Sequence, residues 1–196
     1  MTASTATSTA AKRRIVDAVF RLVVRGGVGE ASLRKVAEES GINIGSVRHY
    51  FGSHERLMVA AAEEVGARMQ RRLHDALPKT AARSDAAGRR ELVEAACRAV
   101  LPVSDRAEAI VLVELITAAR LRPEFRPLAT RMGTDLRAVL RETLEAAHVP
   151  DPGVEAERLT ALVGGLTFEV VYPHGSSDDE LMAEVLRRHI AGLIPE

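Results

Sequence analysis

Arg48, His49 and Tyr50 follow one another in the sequence and bring a guanidinium, an imidazole and a phenol to one short segment. Together they supply donors for phosphate oxygens and for the acceptor atoms of base edges, which is the chemistry of nucleic-acid recognition. His49 and Tyr50 can donate to phosphates and so fix register without reading sequence. Arg48 has two uses open to it: a bidentate pair with guanine O6 and N7, worth roughly 1 to 3 kcal/mol against the wrong base, or a phosphate clamp. Ile44 cannot hydrogen-bond, so its use is apolar contact with a thymine methyl or none. Gly45 either lets the backbone lie close to DNA or packs against the preceding helix. Ser32, Arg34, Asn43, Ser46 and His54 complete the candidate DNA-contacting set.

These groups act together only if an element presents them on one face, and residues 32–51 read as two short helices joined by a tight turn. Ser32 can cap the first helix, and Leu33, Val36 and Ala37 give it one apolar face at helical spacing. Gly41 ends it in a conformation that glycine takes at little cost, and Ile42 can fold back as an anchor. Asn43 caps the second helix, about 43–51, whose inward residues are Val47 and Phe51. Ile44, Ser46, Arg48, His49 and Tyr50 then face outward. A helix-turn-helix of this kind lays its second helix in the major groove.

Over residues 13–58 the chain resembles the TetR family of bacterial transcriptional regulators, within it the branch of the choline-responsive BetI repressor. Ile15, Ala18, Phe20, Leu22 and Gly27 fit the first helix and its closing glycine; Ser32, Leu33, Val36, Ala37 and Gly41 fit the second helix and turn. Gly45, Ser46, Val47, His49, Tyr50 and Phe51 fit the recognition helix, and Ser53, Glu55 and Leu57 open the fourth. Ile44 and Arg48 depart from the family pattern, so the operator sequence does not transfer. The resemblance implies a three-helix reader, a larger bundle that binds a small-molecule inducer, and a dimer interface on the last two helices.

Charge agrees with a polyanionic partner. The chain balances 27 basic against 27 acidic residues, yet residues 1–56 hold nine basic against five acidic, a net of +4 that leaves −4 for the remainder. Positive charge confined to the candidate reader predicts salt-sensitive binding. Lys12, Arg13 and Arg14 either reach an adjacent minor groove as an arm or form a solvated run at a helix start. Residues 1–11, a Thr/Ser/Ala tract, are expected to be a disordered tail; 12–56 the DNA-binding domain; 57–196 an effector-binding and dimerisation domain. Asp17 and Arg21 interrupt any secretory h-region, and no run approaches a membrane span. A lone Cys97 and scattered histidines predict neither disulfide nor metal site, which fits a cytoplasmic protein without cofactor.

Beyond residue 56 the pattern is helical throughout, with segments at about 53–77, 87–101, 105–121, 124–148, 154–172 and 178–193. With three helices before them the fold class is all-α, about nine helices. The segment 109–119 is apolar nearly all round with one acid in its middle, and a buried carboxylate needs a partner or a proton. Glu114 and Thr117 are therefore candidate ligand contacts, the alternative being an ion pair of Glu114 with Arg98 or Arg137. Cys97, Leu101, Val113, Leu136, Leu140 and Phe168 are candidate pocket lining, each also suited to plain core.

Gly164 and Gly165 inside a helical segment cost roughly 1 kcal/mol each relative to alanine, and close helix approach or room for a ligand would compensate. On the interface that the resemblance implies, Gly164 would lie among Leu162, Leu166, Val170, Leu181, Val185, Leu186 and Ile190, forming a four-helix bundle with a second copy. The expected partners are a palindromic DNA operator, a small-molecule effector and a homodimer mate. Competing readings are an all-helical carrier or enzyme with residues 32–51 as a packed corner, and a DNA-binding activator without effector. No nucleophile with an adjacent base, paired acids or phosphate loop supports an enzyme.

Overall fold

Ser32, Asn43, Asp85 and Asp178 each turn a side-chain oxygen onto a backbone N–H three residues on, at 3.3, 2.8, 2.8 and 2.8 Å, and four helices begin there. Such caps satisfy donors that a helix start leaves without intrahelical partners. In the computed structural model, which describes residues 2–80, 85–101, 105–174 and 178–195, the helices are α1 (Thr2–Gly26), α2 (Leu33–Ser40), α3 (Ile44–Phe51), α4 (His54–Thr80), α5 (Ala86–Val100), α6 (Arg106–Leu121), α7 (Arg126–Ala146), α8 (Pro152–Val171) and α9 (Asp179–Leu193). One-turn 3₁₀ segments lie at Val28–Glu30 and Pro123–Phe125. The described residues contain no strand, and the fold is all-α with nine α-helices among them.

The chain forms two compact units, residues 1–66 with 110–129, and residues 67–109 with 130–196. The first therefore extends beyond the expected boundary at 56 and takes in α6 from Ile110 onward. Residues 2–11, expected to be disordered, continue α1 back to Thr2. Ile15, Ala18, Val19 and Val23 anchor that helix in the core, and once a helix is nucleated an alanine-containing tract extends it at little cost.

Within the first unit, Val36, Val47, Phe51, Leu57 and Phe125 join the α1 residues in the core. Gly41 sits at φ 65° and closes α2: its N–H donates to the Glu38 carbonyl and that of Ile42 to the Ala37 carbonyl, at 3.3 and 3.2 Å. This paired return fixes the angle at which the chain enters α3. Three arginines of α1 grip the end of α2: Arg14 Nη2 donates to the Ser40 carbonyl at 2.8 Å, while Arg21 and Arg25 both pair with Glu39. These two guanidiniums, Arg25 foremost, hold the Glu39 carboxyl below its ordinary pKa.

The second unit closes around Val93, Cys97, Leu140, Leu144, Leu159 and Ile190. Burial pushes the Cys97 thiol up to about 12, so it is a neutral core group at physiological pH. Arg90 Nε ties α5 to the end of α9 by donating to the Ile194 carbonyl at 2.6 Å.

Candidate nucleic-acid interface

α3 presents the outer face that its spacing predicts. Val47 and Phe51 are buried; Asn43, Ile44, Gly45, Arg48 and His49 are exposed, with Ser46 and Tyr50 half-buried beside them. The His49 and Tyr50 rings meet edge to face, 5.6 Å apart at 60°. Asn43 Oδ1 accepts from Ser46 N–H, and a Cβ on Gly45 would lie only 3.2 Å from that oxygen. Gly45 thus leaves room for the cap of its own helix, a role distinct from the two that the sequence suggests. Ser32 caps α2, and Arg34 pairs with Glu38 one turn on at 3.1 Å, both on exposed surface.

Most cations of the reader are already engaged. Arg14, Arg21 and Arg25 hold α2, Arg34 pairs with Glu38, and Lys35 pairs with Glu30 at 2.6 Å. Lys12, Arg13, Arg48 and Arg56 are exposed and have no acidic partner among the described residues. The unbalanced charge therefore flanks and lies on α3.

His54, expected among the DNA contacts, is instead half-buried within the first unit. Its ring lies 6.3 Å from that of Phe125, and burial, then the nearby Arg122, lowers its pKa below the usual histidine value. A neutral imidazole turned toward 122–125 is a structural group, so His54 leaves the candidate interface.

The expected ligand-lining residues divide between the two units. Val113, Glu114 and Thr117 belong to the first unit; Cys97, Leu101, Leu136, Leu140 and Phe168 to the second. Glu114 lies against the turn after α1: a Cβ on Gly27 would be 2.8 Å from its Oε2, and Gly27 holds φ 76°. The two suggested arginine partners are occupied elsewhere, Arg98 with Glu94 at 3.1 Å and Arg137 with Glu157 at 2.8 Å. Thr117 is exposed, Cys97 and Leu140 are plain core, and Leu101 is a buried residue that also borders a cavity. The deeply buried acid of α6 is Glu108, which sequence reading passed over. Its side chain is 2% exposed, and Arg72 holds it through two bonds of 2.8 and 3.0 Å while donating to the Ala99 carbonyl at 2.7 Å. A carboxylate near the start of a helix reads as an ordinary first-turn acid; only the fold brings Arg72 of α4 to it.

A half-enclosed cavity of about 330 Å³ lies in the second unit between α5 and α9. Leu101, Ala183 and Leu186 give it apolar walls, and Glu94, Arg98, Asp179 and Arg187 line it with both signs of charge.

Ala161, Gly164, Gly165 and Phe168 of α8, with Tyr172 just past its end, share one exposed face, and on α9 Leu181 and Val185 are exposed at 51% and 38%. Phe168 is thus a surface residue, its ring 5.1 Å from that of Tyr172 and stacked on His174 at 5.6 Å. A Cβ on either Gly164 or Gly165 would meet nothing within 4 Å inside the protomer. Leu186 and Ile190, expected on the dimer face, are buried in the protomer's own core; Leu162 and Leu166 pack partly against it, and Val170 is half-buried. Successive helical residues point about 100° apart, so 162, 166 and 170 turn toward the core where 161, 165 and 168 turn to the surface.

The chain is similar to known transcriptional regulators. Residues 15–61 match the family described as bacterial regulatory proteins, tetR family, and residues 89–195 match the BetI-type transcriptional repressor C-terminal family. The HTH-type transcriptional regulator PksA of Bacillus subtilis (strain 168) is 25% identical, over 94% of this chain and 90% of PksA. A transcriptional regulator from Rhodococcus sp. Rha1 shares the fold with a TM-score of 0.79 at 23% identity, covering 93% of this chain and 95% of that one. The multidrug binding protein EbrR, solved with imidazole, has a TM-score of 0.65 at 29% identity, covering 94% and 89% of the two chains. Among the described residues no helix is long and apolar enough to cross a membrane.

Proposed function

The chain belongs to the TetR family of bacterial transcriptional regulators, in its BetI-type branch, and on that premise we propose that it is a ligand-responsive repressor gripping a palindromic operator as a homodimer. The observation that carries this reading is the exposed face of α3, where Arg48, His49 and Tyr50 stand on a capped helix and Arg48 lacks an acidic partner. Entering the major groove, Arg48 reads a base edge while His49 and Tyr50 hold phosphates and set register. Ile44, at 37% exposure, offers an apolar surface to a thymine methyl. Asn43, Ser46 and Ser32 supply further hydrogen-bonding groups at the helix starts, and Arg34 adds charge on α2 once a phosphate replaces Glu38 as its partner.

Two readers must be held about 34 to 36 Å apart to enter successive major grooves. The exposed face of Ala161, Gly164, Gly165, Phe168 and Tyr172, with Leu181 and Val185 of α9, is suited to hold a second copy. Its glycines let two α8 helices approach, and its aromatic rings gain a dry surface on pairing. The effector reading rests on the cavity between α5 and α9, and on EbrR as a structural relative described as a multidrug binding protein. A ligand there releases DNA only to the extent that it prefers the state with the wrong reader spacing.

The test is operator recovery with the purified full chain, followed by affinity measurements across single-base variants of the recovered site. Arg48→Ala should lose affinity and relax preference at one position per half-site, whereas His49→Ala and Tyr50→Ala should weaken every variant alike. No loss from any of the three would remove α3 as the DNA-binding face.

A further inference from the structure

α1 carries a cation to the recognition helix. Lys12 Nζ lies 6.0 Å from the centroid of the Tyr50 ring, and Tyr50 in turn meets His49 edge to face. We propose that Lys12 and Tyr50 form one composite phosphate clamp, so that the operator is bound by α1 as well as by the helix-turn-helix. The inference rests on the operator reading above and adds a contact from outside residues 15–61, the segment matched to the reader of the family.

Three observations converge on Lys12. It is exposed and has no acidic partner, whereas Arg14, Arg21 and Arg25 on the same helix are bound to the end of α2. It is held on a helix that runs unbroken from Thr2 to Gly26, so its backbone position is fixed relative to α3 and not that of a loose arm. Its ammonium lies over the ring of a residue whose hydroxyl is itself a phosphate donor. An ammonium over an aromatic face is attracted weakly, too little to strip its hydration but enough to favour one arrangement of a flexible side chain. A lysine ordered in advance loses less side-chain entropy when it takes a phosphate oxygen. The ring then serves as a platform: its face steers the ammonium, and its hydroxyl donates to the same anion or the next along the strand. Such a contact positions the duplex and carries no sequence preference.

The measurement is the salt dependence of binding to the recovered operator and to a random duplex, using the full chain and its Lys12→Gln, Lys12→Arg, Tyr50→Phe and Tyr50→Ala variants. One phosphate contact contributes about 0.9 to the slope of log K against log salt for each reader engaged. Lys12→Gln should lower the slope by that amount and weaken both duplexes about three- to tenfold per reader at moderate salt; Lys12→Arg should retain both. The loss from Lys12→Gln should persist in a Tyr50→Phe background, which keeps the ring, and shrink in a Tyr50→Ala background, which removes the platform. Circular dichroism confirms that each variant keeps its helix content.

An unchanged slope for Lys12→Gln overturns the clamp. Equal Lys12→Gln losses in the Tyr50→Phe and Tyr50→Ala backgrounds overturn the coupling to the ring. If the wild type binds while Arg48→Ala weakens it and Lys12→Gln does not, the operator reading stands and the clamp alone fails. If the wild type binds neither duplex, both fail.

Discussion

The two units use charge differently. In the first, ion pairs lie on the surface: Arg21 and Arg25 on Glu39, Arg34 on Glu38, Lys35 on Glu30. The second has exposed pairs as well, such as Arg98 with Glu94 and Arg137 with Glu157, but adds an enclosed one: Glu108 depends on two bonds from Arg72, and Arg68 of α4 pairs with Asp105, just before α6, at 3.3 Å. Exposed pairs contribute about 0 to 1 kcal/mol each, whereas removing one partner of a buried pair costs several, because it leaves a charge in low dielectric. The reader therefore depends on caps, turns and an apolar core, and can present unpaired cations without loss of fold. The bundle adds a long-range pair that it cannot exchange.

The largest effect should come from breaking the enclosed pair. Arg72→Met leaves Glu108 without its guanidinium and Ala99 without a donor, and should destabilise the protein by about 3 kcal/mol, the lower end for a buried pair because Arg72 is itself 28% exposed. Arg34→Ala, which breaks an exposed pair one turn long, should cost about 0.5 kcal/mol or less. Urea unfolding of the two variants, analysed for separate transitions of the units, measures the contrast. Equal costs would dissolve it.

The same contrast explains what could be read from sequence. Ser32, Gly41, Asn43, Val47 and Phe51 act through neighbours within a few positions, so their types and spacing state their roles directly. The helices of the bundle were likewise legible within a few residues at each end. Its site was not. Glu114 and Glu108 are both acids on α6, and nothing local distinguishes the one beside Gly27 from the one enclosed with Arg72. Leu186 and Ile190 have the same apolar character as Leu181 and Val185, and only the packing of α9 on α5 separates core from surface. His54 looked like an extension of the basic face because Phe125 lies far away in the sequence.

Gly27 joins the two kinds of constraint, since its role combines local backbone geometry with a distant carboxylate. At φ 76° an alanine is strained whatever its surroundings, and its Cβ would also lie 2.8 Å from Glu114 Oε2. Gly27→Ala should therefore cost about 2 kcal/mol. Combined with Glu114→Ala, the double variant should be less destabilised than the sum of the two singles, because the steric share vanishes and the dihedral share remains. Thermal or urea unfolding of the three variants decides it. Strict additivity would mean that the carboxylate yields freely and that the backbone angle alone makes glycine necessary.

A smaller effect than that at Gly27, and the one that separates fold from function within the reader, lies at Asn43. Its Oδ1 caps α3 through the 2.8 Å bond to Ser46 N–H, so Asn43→Ala should cost about 1 kcal/mol of stability. Aspartate is an equally good cap, and Asn43→Asp should keep that stability. At the exposed start of α3, however, the aspartate replaces a neutral group that can donate with an anion that faces the duplex phosphates. DNA affinity should then fall most at low salt and recover part of the deficit relative to wild type as salt screens the repulsion. Unfolding and duplex binding measured on both variants give opposite orders: alanine is the less stable protein and aspartate the weaker binder. If the two orders coincide, Asn43 matters to DNA only through the helix it caps, and the polar face of α3 begins at Ser46.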